Sequence, residues 1–316
     1  MGKSKRSQRW PDVGAALPAP VTDNHTHLPV RLADIPLVQG ERLPLPEQLR
    51  RAAAVGVERI ITVGCELPDL AASLELGNLP GVRVALALHP NEAPLHAGGQ
   101  HYADGGAPDG LEPRLLPHHA TSLDDAVAEV ARLAADPRVV AVGESGLDYF
   151  RGAPPARAAQ QAAFRAHIAL AKELDKPLQI HDRDAHQDVI DILLADGAPA
   201  RTVFHCFSGD AEMAGVLAEH GWFASIAGPV TYHANEEARR ALRALPRHLV
   251  LVETDAPYLA PHPLRGRPNA SYVMPVTVRA MAEVWQADLA DVCQQLERNT
   301  QAVYGTWPPL GGPCGS

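Results

Sequence analysis

The sequence predicts an α/β fold of the (β/α)₈ TIM barrel class, one large domain, and three observations carry that reading. Eight short apolar runs alternate with segments of helical spacing, the pattern of βαβ units and a parallel sheet. Eight such units suit a closed barrel better than an open doubly wound sheet. No G-x-G-x-x-G follows the first run, which weakens the open-sheet alternative.

In chain order, residues 1–20 are polar and Pro-rich, end in Pro18-Ala19-Pro20, and read as a disordered basic tail. The sharper alternative there is a mitochondrial-type presequence, since acidic residues are nearly absent. The apolar runs follow at 21–24, 57–64, 82–88, 138–143, 177–180, 202–204, 222–226 and 249–253. The helical segments lie at 46–55, 69–77, 122–135, 155–174, 184–195, 210–220, 235–244 and 273–303. Together they define a barrel domain over 21–304, with residues 305–316 as a C-terminal tail. Residues 91–121 read as an insertion rich in Gly, Pro and His. A loop of that length is either a solvent-exposed excursion or a lid over the active-site mouth.

Composition narrows the function classes. The 316 residues are 46% hydrophobic and 21% charged, enough for a sizeable core and unlike a disordered or low-complexity chain. No apolar run reaches the ~18 residues of a membrane helix, and no secretory h-region is visible, so no membrane association and a cytoplasmic location are expected. Four widely spaced cysteines without a C-x-x-C pair argue against a disulfide framework or a thiolate zinc site. The net charge is −9, and the tail's four Lys/Arg against Asp12 leave the body more acidic still. That speaks against a long basic groove, yet leaves room for a local phosphate site whose positive charge comes from metal ions. Histidine stands out, with 15 residues, as the commonest metal ligand and acid/base side chain.

In a parallel barrel, functional side chains stand at the C-terminal ends of strands. The first run leads into Asp23-Asn24-His25-Thr26-His27, where His25 and His27 point to the same side of the strand. Asp23 shares that face but lies deeper, which favours hydrogen bonding over ligation. The fourth run leads into Gly143-Glu144, the fifth into His181, the sixth into His205 and the eighth into Asp255. One histidine is ordinarily structural; five strand ends delivering His25, His27, Glu144, His181, His205 and Asp255 to one mouth define a metal site. Six nitrogen and oxygen ligands exceed one tetrahedral site, so two divalent ions are expected, with Glu144 the natural bridge. Such a centre lowers the pKa of water towards ~7 and suits phosphodiester hydrolysis. The imidazoles favour Zn²⁺ or Mn²⁺ over Mg²⁺, although availability can override that order.

These residues sit in blocks that resemble the TatD family of metal-dependent deoxyribonucleases, within the amidohydrolase-type barrels. The blocks are DNHTHL (23–28), LHP (88–90), GESGLDY (143–149), QIHDRDA (179–185), HCFSG (205–209), SIAGPVT (225–231) and LVETDAPYL (251–259). The resemblance implies that His25, His27, Glu144 and Asp255 hold one ion and that Glu144, His181 and His205 hold the second. It also implies that Asp255 orients the nucleophilic water and accepts its proton, making Asp255 and Glu144 the expected catalytic pair. The implied enzyme is a metal-dependent hydrolase acting on ester bonds. Its implied activity is magnesium- or manganese-dependent nuclease hydrolysis, including 3′-to-5′ trimming of single-stranded ends; with the ligand preference above, the expected cofactors are two divalent ions, Mg²⁺, Mn²⁺ or Zn²⁺, and no obligate protein partner is evident in the sequence. The other class open to this ligand set is an amidohydrolase or esterase acting on a small molecule.

Weaker candidates surround the ligands. His89 is either substrate-facing or a support for the metal ligands. Arg183 and Arg265 are candidates to meet a phosphate, the alternative being a barrel-rim ion pair. Asp148 and Tyr149 are expected to brace the segment that carries Glu144. Where the family often reads R-G-x-R-N-E-P, this chain reads Arg265-Gly266-Arg267-Pro268-Asn269-Ala270-Ser271, keeping the Asn and lacking the Glu and the Pro after it.

Overall fold

A computed structural model describes residues 9–98 and 114–311. Eight strands form one parallel sheet in the order β1 to β8, alternating with helices, which is the (β/α)₈ barrel the sequence predicts. The chain contains two compact units, Met1–Thr62 with Asn78–Arg83 and Gly209–Ser316, and Val63–Gly77 with Val84–Ser208.

In the first unit, β1 (Val21–Thr26) is buried at every position and pairs with β2 (Val57–Gly64), Val21 opposite Val57 and Thr26 opposite Thr62. Burial on both faces explains a nearly unbroken apolar strand such as β2. Between them α1 (Leu45–Ala54) starts with Pro46 in its first turn, where a missing N–H costs nothing. At the far end of the chain β7 (Phe223–Ile226) pairs with β8 (Val250–Val252). Past β8, Asp255 N–H donates to His25 O and His27 N–H to Ala256 O, so backbone bonds join the outgoing ends of β1 and β8.

In the second unit, β3 (Val82–Leu86) pairs with β4 (Val139–Asp148), β4 with β5 (Leu178–Arg183), and β5 with β6 (Thr202–Phe204). The sequence pattern ends β4 at 143, whereas the strand runs on to Asp148 because its last residues pair with β5 as far as Asp148 opposite Arg183. Glu144 therefore stands inside β4 rather than after it. Helices α2 (Leu70–Leu76), α3 (Ala93–His96), α4 (Leu123–Ala134), α5 (Pro154–Glu173) and α6 (His186–Asp196) belong to this unit. Ser122 caps α4 by accepting from Asp125 N–H, satisfying one orphan donor of the first turn.

The remaining helices, α7 (Ala211–His220), α8 (Glu236–Ala244), α9 (Pro275–Trp285) and α10 (Leu289–Tyr304), lie in the first unit. The segment 273–303, expected as one helical stretch, is two helices. Gln286 takes a left-handed φ of 49° and closes α9, and Asp288 then caps α10 by accepting from Ala290 and Asp291 N–H.

Both ends of the barrel differ from the tails expected of them. Residues 1–8 lie outside the described residues, but Leu17 is buried and its N–H donates to Val55 O, while Tyr272 Oη donates to Pro11 O. Arg279 donates to Ala15 and Ala16 O. After α10, Trp307 is buried and its indole N–H donates to Gly81 O, while Leu310 N–H donates to Glu58 O. A few apolar anchors in a Pro-rich strap suffice to order it, and composition averages over them. The middle of the 91–121 insertion, residues 99–113, lies outside the described residues, and with it His101.

Replacing Trp307 by Ala should lower stability by about 3–5 kcal/mol, the usual cost of truncating a buried Trp. Urea unfolding measures it; an unchanged midpoint would mean that residues 305–311 contribute nothing to the fold.

Candidate metal centre

Two clusters of ligating side chains occupy the outgoing strand ends, one in each unit. In the first unit β1 carries His25 and presents His27 just beyond it, the two rings meeting edge to face at 5.3 Å. Their spacing of two along an extended chain sends both toward Asp255, whose Oδ1 is 3.9 Å from His25 Nε2 and 3.5 Å from His27 Nε2. The ligand atoms of all three lie within 4.8 Å of one another. Asp255 adopts a left-handed φ of 51°, held by its own N–H bond to His25 O.

Beneath this group Asp23 is fully buried and accepts from Thr254 N–H at 2.9 Å and from Thr254 Oγ1 at 2.6 Å. Burial pushes its carboxyl up to about 7 against the opposing pull of those bonds. Asp23 thus holds the residue before Asp255. Asn269, the position retained from the family's loop, donates to Thr254 O and Tyr258 O and so ties the Thr254–Tyr258 segment from the other side.

In the second unit Glu144 is 3% exposed, and its Oε2 lies 3.0 Å from His181 Nδ1, 2.8 Å from His205 Nε2 and 3.8 Å from His89 Nε2. Burial alone would push this carboxyl up. The His205 and His89 imidazoles, with hydrogen bonds from His181 and His205, outweigh it and hold the group well below the usual carboxylate range. His181 Nδ1 and His205 Nε2 are 3.3 Å apart. Behind His181, Asp148 Oδ2 stands 3.4 Å from Nε2 and itself accepts from Asn91 Nδ2. A carboxylate on the Nε2 side of the imidazole favours the ring orientation in which Nδ1 faces Glu144. Burial lowers the His181 imidazole's affinity for its proton, but Asp148 and Glu144 more than offset this.

These donor sets fit divalent metal. Two imidazole nitrogens facing each other across one carboxylate oxygen, all about 3 Å apart, span nearly the edge of a tetrahedron with bonds of about 2 Å. Three ligands pressed together without an ion, two of them buried, would otherwise have to share protons.

The six expected ligands therefore fall into two groups, His25, His27 and Asp255 in one and Glu144, His181 and His205 in the other. His89 joins the second group, its ring 4.5 Å from that of His181. Its Nδ1 accepts from Asn91 N–H, so the proton of the neutral ring sits on Nε2. Burial, then His181, lowers its pKa to about 3. Arg183 lies over Phe150, its guanidinium carbon 3.8 Å from the ring centroid, and Arg265 lies over Tyr232 at 4.3 Å. Each therefore contacts an aromatic ring, an environment other than the rim ion pair that was the alternative to a phosphate contact. Asp148 and Tyr149 do brace the Glu144 segment. Gln160 bonds both the N–H and the O of Asp148, and Tyr149 Oη donates to Asp188 at 2.6 Å. Asn91 and Thr254, each orienting one cluster, escaped the sequence reading because a single Asn or Thr in a loop carries no pattern.

Gly146 shows why the β4–β5 pair has this sequence. It sits opposite His181 with a φ of +151°, and a Cβ there would overlap the His181 carbonyl oxygen. Only glycine lets β5 approach closely enough to set His181 beside Glu144.

An eight-stranded parallel barrel with clustered imidazoles and carboxylates at its outgoing strand ends is the architecture of a metal-dependent hydrolase. Residues 22–305 match the family described as TatD related DNase. The chain is 39% identical over 293 residues to the uncharacterized metal-dependent hydrolase TatD of Mycobacterium tuberculosis, covering 90% of this chain and 98% of that one. It is 31% identical over 268 residues to the 3′-5′ ssDNA/RNA exonuclease TatD of Klebsiella pneumoniae, covering 82% and 91%. Among solved structures, the TatD homologue YJJV of Escherichia coli K12 superposes with a TM-score of 0.73 at 27% identity, covering 90% of this chain and 98% of that one. The chain belongs to the TatD family of metal-dependent hydrolases, enzymes that act on ester bonds.

Gly146→Ala should cost about 2–4 kcal/mol from the overlap with His181 and the disfavoured φ. A thermal melt reads it, and a variant as stable as the parent would show that β4 and β5 can separate freely.

Proposed function

We propose that the protein is a nuclease that hydrolyses phosphodiester bonds, trimming single-stranded DNA from the 3′ end. The observation that carries the reading is the Glu144 group, a buried ionised carboxylate aimed at two imidazole nitrogens at 2.8–3.0 Å. The family membership and the exonuclease names borne by relatives such as that of K. pneumoniae support the substrate class.

In this reading two divalent ions, Mg²⁺, Mn²⁺ or Zn²⁺, are held by His25, His27, Asp255 and Glu144 and by Glu144, His181 and His205. The sharing of Glu144 rests on the family resemblance. When bound, such ions polarise a phosphoryl oxygen and lower the pKa of water towards ~7. The chain supplies the rest. Asp255, fixed by its backbone bond and by the Asp23–Thr254 contact before it, orients the attacking water and takes its proton. His89, neutral at pH 7 and carrying its proton on Nε2, offers a hydrogen-bond donor to an anionic substrate oxygen. Arg183 and Arg265, each over an aromatic ring, present guanidinium groups suited to meet a phosphate. The chain's net charge of −9 speaks against a long basic groove, which suits short or frayed ends.

Metal-loaded protein should shorten a 5′-labelled single-stranded oligonucleotide as a ladder from its 3′ end, and Glu144→Ala should slow this at least about 100-fold. An intact oligonucleotide with Mg²⁺, Mn²⁺ and Zn²⁺, alongside turnover of a small ester or amide, would overturn the nuclease reading.

Stripped by chelator and reloaded with Mn²⁺, the protein should hold two ions by elemental analysis, and His181→Ala mainly one. Folded protein that takes up no Mn²⁺ would refute the two-ion centre.

A further inference from the structure

The described ends of the 91–121 insertion meet in a second kind of histidine cluster that shares no residue with the groups above. Glu92 precedes α3, His96 ends it, and His118 and His119 lie on the 3₁₀ turn Pro117–Ala120. One ligand atom from each of the four lies within 4.8 Å of those of the other three.

Hydrogen bonding assigns the protons. His96 Nδ1 lies 2.9 Å from Thr121 O, and only an N–H can bond a carbonyl, so its Nε2 bears a lone pair. That Nε2 is buried in a side chain 5% exposed and has no hydrogen-bond partner among the described residues. His118 Nε2 is likewise buried without a hydrogen bond, 3.6 Å from Glu92 Oε2. His119 differs. Its Nδ1 accepts from Leu116 N–H, so its ring proton sits on Nε2 and is donated to Glu92 Oε2 at 3.0 Å. The lone pair of His96 Nε2, the His118 Nε2 without a hydrogen bond and a carboxylate thus converge, while the third imidazole orients the carboxylate. Left without an ion, two buried unpaired nitrogens carry a desolvation cost.

We propose that Glu92, His96 and His118 form an additional zinc site, with His119 as a positioning residue on Glu92 and the fourth coordination position open to water. Two imidazoles and one carboxylate select Zn²⁺ over Mg²⁺ or Ca²⁺. Ligand atoms of a tetrahedral zinc lie about 3.3 Å apart for bonds of about 2 Å, so the 3.6 Å His118–Glu92 separation closes with a small movement. The ion would join α3 to the Pro117–Ala120 turn, elements separated by 20 residues of chain.

The test counts zinc in full-length protein. Chelator-stripped wild type, His118→Gln and His119→Gln are reloaded with Zn²⁺, desalted and measured by elemental analysis, with circular dichroism confirming that each is folded. His118 Nε2 makes no hydrogen bond among the described residues, so its replacement by Gln removes none there, and circular dichroism checks that the variant keeps the fold. Wild type should hold one zinc more than His118→Gln. His119→Gln should keep that zinc with affinity lowered 10- to 100-fold in a chelator competition, the usual effect of losing a group that orients a ligand. The same one-ion difference should persist when His118→Gln is built on His181→Ala, which separates this site from the hydrolytic centre. Equal zinc in wild type and His118→Gln would overturn the proposal. A His119→Gln variant that loses the ion outright would overturn the role given to His119.

Discussion

A carboxylate buried to the extent of Glu144 survives as an anion only where compensating positive charge or metal surrounds it, and the second unit is arranged around that requirement. His181 reaches it because β4 and β5 pair in a register that sets Gly146, not a residue with a side chain, against His181. Asp148, four residues along the same strand, backs His181 from the other nitrogen and is pinned in turn by Gln160 and Asn91. Removing any one of these leaves a buried charge or a misplaced proton, so conserving the geometry and conserving the fold are here the same constraint.

The first unit solves a related problem differently. Asp255 follows β8 on a segment whose backbone bonds to β1, and the neighbouring Thr254 is gripped by Asp23 from below and by Asn269 through its carbonyl. Asp23 lies among polar partners, yet burial moves it much nearer neutrality than an ordinary carboxylate. The family's Glu and Pro are missing after Asn269, and the Asn alone still ties Thr254 to Tyr258. Among the described residues no helix is long and apolar enough to cross a membrane.

The sequence reading reached the strand order and picked out the six residues that the fold gathers into two clusters, because barrel strands buried on both faces are continuous apolar runs, and polar residues at their ends stand out against them. It missed where strands stop. Glu144 reads as lying after β4, since Gly143-Glu144-Ser145-Gly146 looks like a loop, and only pairing with β5 makes it a strand. It treated residues 9–20 and 305–311 as tails, because Leu17 and Trp307 are single anchors in Pro-rich surroundings. It saw histidines in the 91–121 insertion without grouping them, as Glu92 and His96 are brought to His118 and His119 by packing across a long sequence gap.

What the sequence by itself determined is the barrel class and the kind of chemistry at its strand ends, since both follow from local period and residue type. Tertiary structure alone decided which nitrogen of His89, His96 and His119 carries the ring proton. His89 bears its proton on Nε2 because Asn91 N–H occupies Nδ1, and His96 bears it on Nδ1 because Thr121 O is there to accept it. Identical side chains thereby become a donor in one place and a ligand in another. The reason is physical: a neutral imidazole has one proton and two nitrogens, and the neighbour that claims one nitrogen sets the chemistry of the other.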